Sequence, residues 1–479
     1  MARALPMLLL AAALGLPAGA AAAEPLAVRD GRIVDRSTGA TVVLRGVNVV
    51  YKPAPYLPHG SSERTSFDRR DVRRLRSWGF NAIRLGVTWK ALMPTRGKVS
   101  NDYLARVVKL VRLAERGGLY VLVDMHQDLW SERFQGNGAP AWATITDGLS
   151  FTKSDNPFPL NYLQPAVGRA FTNFFENRHG IRTLYVRAYS SLARRLRDDN
   201  GVLGFDLFNE PICEVAKAPC ALPPPPEAAG KWLQPFYDEL VPALEKSAPK
   251  RISFYEDGVT VNTGLPFLIG YPPNKPWPFR GEGLSFHVYC TPLIRPGVPC
   301  ATQESEAIAN AAAAASHNGV ASLSTEFGAT DDIATLRRVT GLYDQAGDGW
   351  LYWQYKTYGD PTTAASGDKG GADAESIVSA KGHVKRTKLR VLARTYPERI
   401  AGRDAKWSFD DRSGRFSLTY RPLRGEGDTV ISLPLGLHYP RGHRVRVRNA
   451  TIESRRGASR VVIRAVRGAQ TVTVTVSAT

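Results

Sequence analysis

From Val42 to about Tyr358, short runs of β-branched and apolar residues alternate with longer stretches of helical periodicity, a rhythm that restricts the chain to parallel-sheet folds built from βα units. Eight such runs fall at Val42–Val49, Asn81–Val87, Leu119–Asp124, Val202–Phe208, Ile252–Glu256, Leu284–Val288, Ala321–Thr325 and Trp350–Trp353. The helices between them are punctuated. Leu104, Val107, Val108 and Val111 recur at i, i+3, i+4 and i+7 before Gly117 and Gly118 end the pattern, and an alanine-rich helix stops at Asn318-Gly319 ahead of Ala321. Eight strands with interleaved helices predict an α/β fold of the (β/α)8 barrel type. A doubly wound open sheet is the competing architecture, but no GxGxxG or P-loop pattern follows any run.

After about Thr395 the period changes to short alternating runs, Arg444–Val447, Arg460–Ile463 and Thr471–Val476, with Gly and Pro between them. These predict a small C-terminal antiparallel β-sandwich. At 479 residues the chain exceeds the ~250–300 that one core usually supports. Its 43% hydrophobic and 22% charged residues exclude a disordered or coiled-coil chain. The expected division is a leader at 1–23, a barrel at 24–395 and a sandwich at 396–479.

The leader is read from Met7 to Ala23, an apolar run that follows Arg3 and ends in the small residues Ala18–Ala23, the pattern of a secretory signal peptide. A secreted, soluble protein beginning near Glu24 is the expectation, because no later stretch approaches the ~20 uninterrupted apolar residues of a transmembrane helix. In an exported chain four cysteines point to two disulfides, and proximity favours Cys213 with Cys220 and Cys290 with Cys300, although four thiols allow three pairings. Zinc sites favour tighter spacing.

The formal net charge is +19, and from Thr395 onward sixteen Lys and Arg stand against seven Asp and Glu. Fields of that size favour anionic lipid or nucleic acid, and an Arg-rich composition alone also makes a surface basic. No nucleic-acid-binding signature accompanies the charge, and for the basic tail a solvated sheet face on a packing module stands ahead of peripheral contact with an anionic membrane as the expected role.

In a barrel, polar residues just past strand ends are the candidates for chemistry. Glu210 follows the apolar run that ends at Phe208-Asn209 and precedes Pro211; Glu326 follows Leu323-Ser324-Thr325. Two carboxylates facing one another are what glycosidic hydrolysis requires, one donating a proton to the leaving oxygen and the other attacking or stabilising the developing oxocarbenium carbon. Glu256 and Asp257 compete for these roles. Arg84 lies inside a strand pattern, where a buried guanidinium needs a carboxylate. Asp124, His126 and Asp128 form a dense polar strand end whose metal-binding reading lacks a second His cluster, leaving sugar hydroxyls as the better partner. His287 and Tyr289, at i and i+2, share a face, and Trp353 offers an indole platform. The excursions at 129–170 and 213–230 both follow strands and so lie on the ligand-binding face.

Taken together, Arg84, His126, Asn209-Glu210-Pro211, His287, Tyr289, Glu326 and Trp353 resemble, in strand order, the residue set of glycoside hydrolase family 5, a retaining (β/α)8 family. The resemblance implies that Glu210 is the acid/base and Glu326 the nucleophile. It also implies that Asn209 binds the 2-hydroxyl, that Tyr289 bonds near the nucleophile and that Trp353 floors the subsite of the non-leaving sugar. Within that family, Gly46 to Lys52, Asp124 to Asp128, Gly136 to Trp142, Asp206 to Pro211 and Trp353-Gln354-Tyr355 resemble the endoglycoceramidases, which release an intact glycan from a glycosphingolipid. By the same analogy Lys52 and Asp128 bind sugar, and both glucosyl- and galactosyl-linked ceramides remain as substrates.

The leading expectation is therefore a secreted retaining endoglycosidase on glycosphingolipids, working as a monomer without metal or organic cofactor. A family 5 β-glycosidase on polysaccharide and a non-catalytic glycolipid-binding surface protein are the alternatives. The intact Glu210/Glu326 pair opposes the latter.

Overall fold

The computed structural model describes residues 24–154, 158–212, 224–292, 294–362 and 371–479. The chain opens with three short strands, β1 (Leu26–Arg29), β2 (Arg32–Asp35) and β3 (Thr41–Val42). It then builds a closed barrel of parallel strands: β4 (Arg45–Val49), β5 (Ala82–Val87), β6 (Tyr120–Met125), β7 (Val202–Asp206), β8 (Ile252–Tyr255), β9 (Gly283–Val288), β10 (Ala321–Phe327) and β11 (Gly349–Tyr352). Each coincides with one of the eight runs read from the sequence.

The helices form where their pattern says. Asn101–Arg116 starts at Ser100, whose hydroxyl accepts the Tyr103 N–H, and buries Leu104, Val107, Val108 and Val111. It ends at Gly117 and Gly118, the latter at φ +78°, a left-handed conformation that suits glycine.

Strand alternation decides what fills the barrel. Ala82, Leu122, Phe254, Leu323 and Leu351 belong to one apolar cluster that closes the end where the strands begin. Two residues further along the same strands, on the same inward side, come Arg84, Asp124, Glu256, Thr325 and Trp353. The barrel interior is thus apolar at its base and polar toward its mouth.

The C-terminal strands are β12 (Tyr396–Ile400), β13 (Gly402–Asp410), β14 (Arg415–Pro422), β15 (Thr429–Ser432), β16 (His443–Arg448), β17 (Ala450–Ile452), β18 (Arg460–Ala465) and β19 (Val472–Ala478). They form a four-stranded sheet, β13-β14-β19-β16, packed on a seven-stranded sheet, β1-β2-β3-β12-β15-β18-β17. Trp407, Phe409, Phe416, Leu418, Ile431 and Val474 lie between the two. Here the structure corrects the expected boundary. Residues 26–42, assigned to the barrel unit, belong to the sandwich, because Thr41 and Val42 pair with Ile400 and Arg399. The run Val42–Val49 is accordingly divided: Val42 ends a sandwich strand, and Arg45 begins the barrel.

Asp344, on the helix Ile333–Ala346, joins the two units by accepting from Arg45 Nη2 at 3.1 Å, Arg394 Nε at 3.1 Å and Trp407 Nε1 at 3.2 Å. Among the described residues no helix is long and apolar enough to cross a membrane.

Candidate active site

Glu210 reaches the mouth on an unusual backbone. Its φ is +45°, a region that costs a non-glycine residue ~1–2 kcal/mol. Two side chains hold it there: its N–H donates to Glu256 Oε2 at 2.9 Å, and its carbonyl accepts from Gln127 Nε2 at 3.3 Å. The side chain is 13% exposed and is gripped at Oε1 by Asn262 Nδ2 at 3.0 Å and by His287 Nδ1 at 2.8 Å.

Glu326, at the end of β10, is set deeper. Tyr289 Oη donates to its Oε2 at 3.0 Å, and Arg84 Nη1 donates to its Oε1. One carboxylate oxygen of Glu210, one of Glu326 and a ring nitrogen of His287 all lie within 4.8 Å of one another. Retaining glycosidases hold their carboxyl groups ~5–5.5 Å apart and inverting ones ~6.5–9.5 Å, so the pair is spaced for retention.

Beneath the pair lies a buried ionic cluster. Arg84 Nε contacts Asp206 Oδ2 at 2.8 Å, and Nη2 contacts Asn209 Oδ1 at 2.8 Å and Asp124 Oδ1 at 3.1 Å. Burial opposes the charge on Arg84, but Asp124, Asp206, Glu326 and Glu256 together outweigh it and hold the guanidinium firmly protonated. Asp206 is pushed up to about 8 by burial, against the pull of Arg84. Burial also raises Glu326, opposed by His287 and Arg84. Burial opposes the charge on His287, yet Glu326 and Glu256 keep it protonated well above the ordinary histidine range. Of the two competing carboxylates, Glu256 supports the Glu210 backbone, and Asp257 is spent on the N–H groups of Gly258, Leu268 and Ile269.

A second polar group lines the mouth beside β6 and β11. His126 Nδ1 lies 2.8 Å from Asp124, and its Nε2 lies 3.3 Å from Asp128. Burial would discharge this imidazole, but Asp124 and Asp128 raise it to about 9. Lys52 Nζ bridges Asp128 at 2.8 Å and Asp360 at 2.9 Å, and also donates to Thr362 Oγ1 at 2.8 Å. The Trp353 indole stacks near His126 with centroids 5.4 Å apart, sits 4.6 Å from Lys52 Nζ and gives its N–H to Glu375 Oε2 at 3.0 Å. The sequence-derived candidates Lys52, Arg84, His126, Asp128, Asn209, Glu210, His287, Tyr289, Glu326 and Trp353 therefore converge on one mouth.

Sequence reading did not single out Asn48, Asn262, Asp360, Thr362 or Glu375. Asn48 follows the inward alternation of β4 and accepts from Arg84 Nη1 at 3.2 Å. Asp360 and Thr362 lie on irregular backbone, and Asn262 and Glu375 on helical turns of four or five residues, too short for a period to mark them.

Immediately past Glu210, residues Pro211, Ile212, Ala228, Trp232, Val261 and Leu268 line an apolar recess of about 420 Å³, counting its open side. Cys290, next to Tyr289, is bonded to Cys300 with Cα atoms 5.0 Å apart. Cys213 and Cys220 lie outside the described residues.

Residues 37–359 match the family described as cellulase (glycosyl hydrolase family 5), and residues 394–476 match the glycoside hydrolase family 5 C-terminal domain. Endoglycoceramidase I of Rhodococcus hoagii is 31% identical over 459 residues, covering 94% of this chain and 87% of that protein. Endo-glycoceramidase II from Rhodococcus sp., solved as a lactosyl-enzyme intermediate, is similar with a TM-score of 0.76 and 25% identity over 92% of this chain and 98% of its own. Its ganglioside GM3 complex gives a TM-score of 0.76 and 25% identity over 94% and 100%. The barrel bearing the glutamate pair and the sandwich behind it thus fall within a single lineage, and the chain belongs to glycoside hydrolase family 5 as a retaining glycoside hydrolase.

Proposed function

We propose that the enzyme hydrolyses the β-glycosidic bond between oligosaccharide and ceramide in glycosphingolipids and releases the glycan intact. The observation that carries this reading is the asymmetry around Glu210. Charged and hydroxyl-bearing groups lie on the Lys52, Asp128 and His126 side, and the apolar recess opens directly beyond Pro211 and Ile212. A polar sugar continuing into a lipid fits that division. The curated relative and the solved neighbour described above, both endoglycoceramidases, support it.

The same asymmetry supports the division of roles. Glu210, beside the apolar recess, protonates the departing ceramide oxygen. Glu326, held at both oxygens by Tyr289 and Arg84, attacks the anomeric carbon as the bond to that oxygen breaks. The glycosyl ester on Glu326 is then cleaved by water, which gives a proton to Glu210 as it attacks the same carbon, freeing the glycan and restoring both carboxyl groups. In this reading Asn209, held by Arg84 and by the Gln127 carbonyl, binds the 2-hydroxyl, as the family resemblance implies. Removal of residues 1–23 as a secretion signal, and action as a monomer at anionic membrane surfaces, complete the reading. The leader's composition supports the first, and the net charge of +19 supports the membrane contact.

The test is incubation with glucosyl- and galactosyl-linked glycolipids and with soluble glucans, followed by mass spectrometry. Free ceramide beside an undegraded glycan is the expected result. Hydrolysis of soluble glucan without attack on any glycolipid would overturn the proposal.

A further inference from the structure

The four-stranded sheet of the sandwich has one packed face and one open face. On β16, Val445 and Val447 pack against the sandwich core, so Arg444, Arg446 and Arg448, at alternate positions, stand together on the other side, and all three are exposed. They are spaced ~7 Å apart along the edge strand of that sheet.

Strand register extends the pattern inward. The three arginines pair with Ser477, Thr475 and Thr473 of β19. Thr475 and Thr473 in turn pair with Ser417 and Thr419 of β14, and Thr419 pairs with Lys406 of β13. The face is thus a floor of hydroxyl groups with a row of guanidiniums along one border, while the other border carries Lys406, Ser408, Asp410 and Arg415 and the Arg421–Asp404 pair.

Some arginines of the sandwich are matched to carboxylates, Arg421 to Asp404, Arg460 to Glu398, and Arg464 to Asp428 and Glu453, but scattered others such as Arg424, Arg441 and Arg467 form no such pair among the described residues, so what sets β16 apart is three arginines in a row on one strand face. Among the described residues no such partner is found within 4.0 Å of Arg444, Arg446 or Arg448. A single charge would suffice to keep an edge strand from pairing with another sheet. Three in a row, backed by hydroxyl donors, exceed that need and match a surface of phosphate oxygens.

We propose that this face docks the enzyme on anionic bilayers, with Arg444, Arg446 and Arg448 engaging lipid phosphates while the barrel acts on the glycolipid. The proposal rests on the reading above, in which the substrate is presented by a membrane. Docking adds residence at the surface, and cleavage remains the work of the barrel.

The test is cosedimentation of the full-length protein with glycolipid-free vesicles, either phosphatidylcholine alone or phosphatidylcholine with about 30% phosphatidylserine. Binding to the anionic vesicles only, weakened by added salt, is expected. The triple variant R444Q/R446Q/R448Q should bind on the order of 100-fold more weakly. Arg446→Glu, which keeps two edge cations against sheet association, should weaken binding by about tenfold or more. Equal binding to both vesicles, binding to neither, or wild-type affinity in both variants would overturn the proposal. Glycolipid hydrolysis in detergent micelles, measured in parallel, should be unchanged in the variants. Its absence from every protein would sink the substrate reading and leave the vesicle result standing.

Discussion

Asn262 places its amide Nδ2 3.0 Å from Oε1 of Glu210, and its own Oδ1 accepts the His287 N–H at 3.3 Å. Its carbonyl also accepts the Tyr289 N–H at 3.1 Å. One residue outside the barrel strands thus orients the acid/base and fixes the backbone of two of its neighbours.

Asn262→Ala should lower kcat by roughly 10–100-fold, because a hydrogen bond to a charged group is worth ~1.5–3 kcal/mol. KM should move little, since the amide touches the catalytic carboxyl and leaves the sugar-binding groups intact. Steady-state kinetics on a detergent-solubilised glycolipid separates the two. A rise in KM with kcat unchanged would make Asn262 a substrate contact instead.

The two glutamates should fail differently. On a glycolipid, both Glu210→Ala and Glu326→Ala should lose on the order of 10⁴-fold in turnover or more. With an activated aryl glycoside, whose leaving group needs no proton, Glu210→Ala should still form the glycosyl ester and then stall. Intact-mass spectrometry should detect one added glycan on Glu210→Ala and none on Glu326→Ala. Normal turnover by Glu326→Ala would refute the assignment.

His126 links stability to pH. In the unfolded chain it discharges near the ordinary value of ~6.5. In the fold it stays charged to about 9. Its contribution is therefore complete below about pH 6.5, declines as the pH rises and is gone once the pH passes its folded value. The gap in urea midpoint between wild type and His126→Gln should accordingly narrow between about pH 6 and pH 10. A gap that widens over this range would contradict the charged imidazole.

Arg84→Met should destabilise the barrel by ~3–5 kcal/mol, because it leaves Asp124, Asp206 and Glu326 facing one another without their cation. The loss should shrink as the pH falls and these carboxyl groups take up protons. Urea unfolding at a series of pH values reads both effects. Arg84→Lys should not restore the wild type, since one ammonium cannot replace a guanidinium that meets Asp206, Asn209 and Glu326 along three directions.

The site was legible in the sequence wherever strand geometry delivers it. Arg84 and Asp124 lie on strands whose inward alternation can be counted, Glu326 is marked only by its place at a strand end because the register of β10 shifts between Ser324 and Glu326, and Glu210 follows the last residues of a run and precedes proline. Asp360 and Thr362 reach the same mouth from non-helical backbone after β11, Glu375 from the short helix Ala372–Glu375, and Asn262 from a short 3₁₀ turn, Val259–Thr263. No period distinguishes such positions, and Glu375 comes to the Trp353 indole through backbone bonds of Gln354 to Glu375 and of Ile377 to Gln354 that the sequence does not announce. The missed role of β1 to β3 has a similar cause: strands of two to four residues carry too little alternation to show which sheet they will join.

That seven-stranded sheet also governs how the molecule is assembled. While the nascent polypeptide emerges, β3 has no partner on one flank until residues 396–400 follow it, so the earliest ribbons wait for the last module. Closure of this long-range pairing pins the stem that feeds directly into β4, the strand that carries Asn48 beside Arg84. A module that carries none of the described reacting groups thereby becomes the clasp that holds the entry into the catalytic wall.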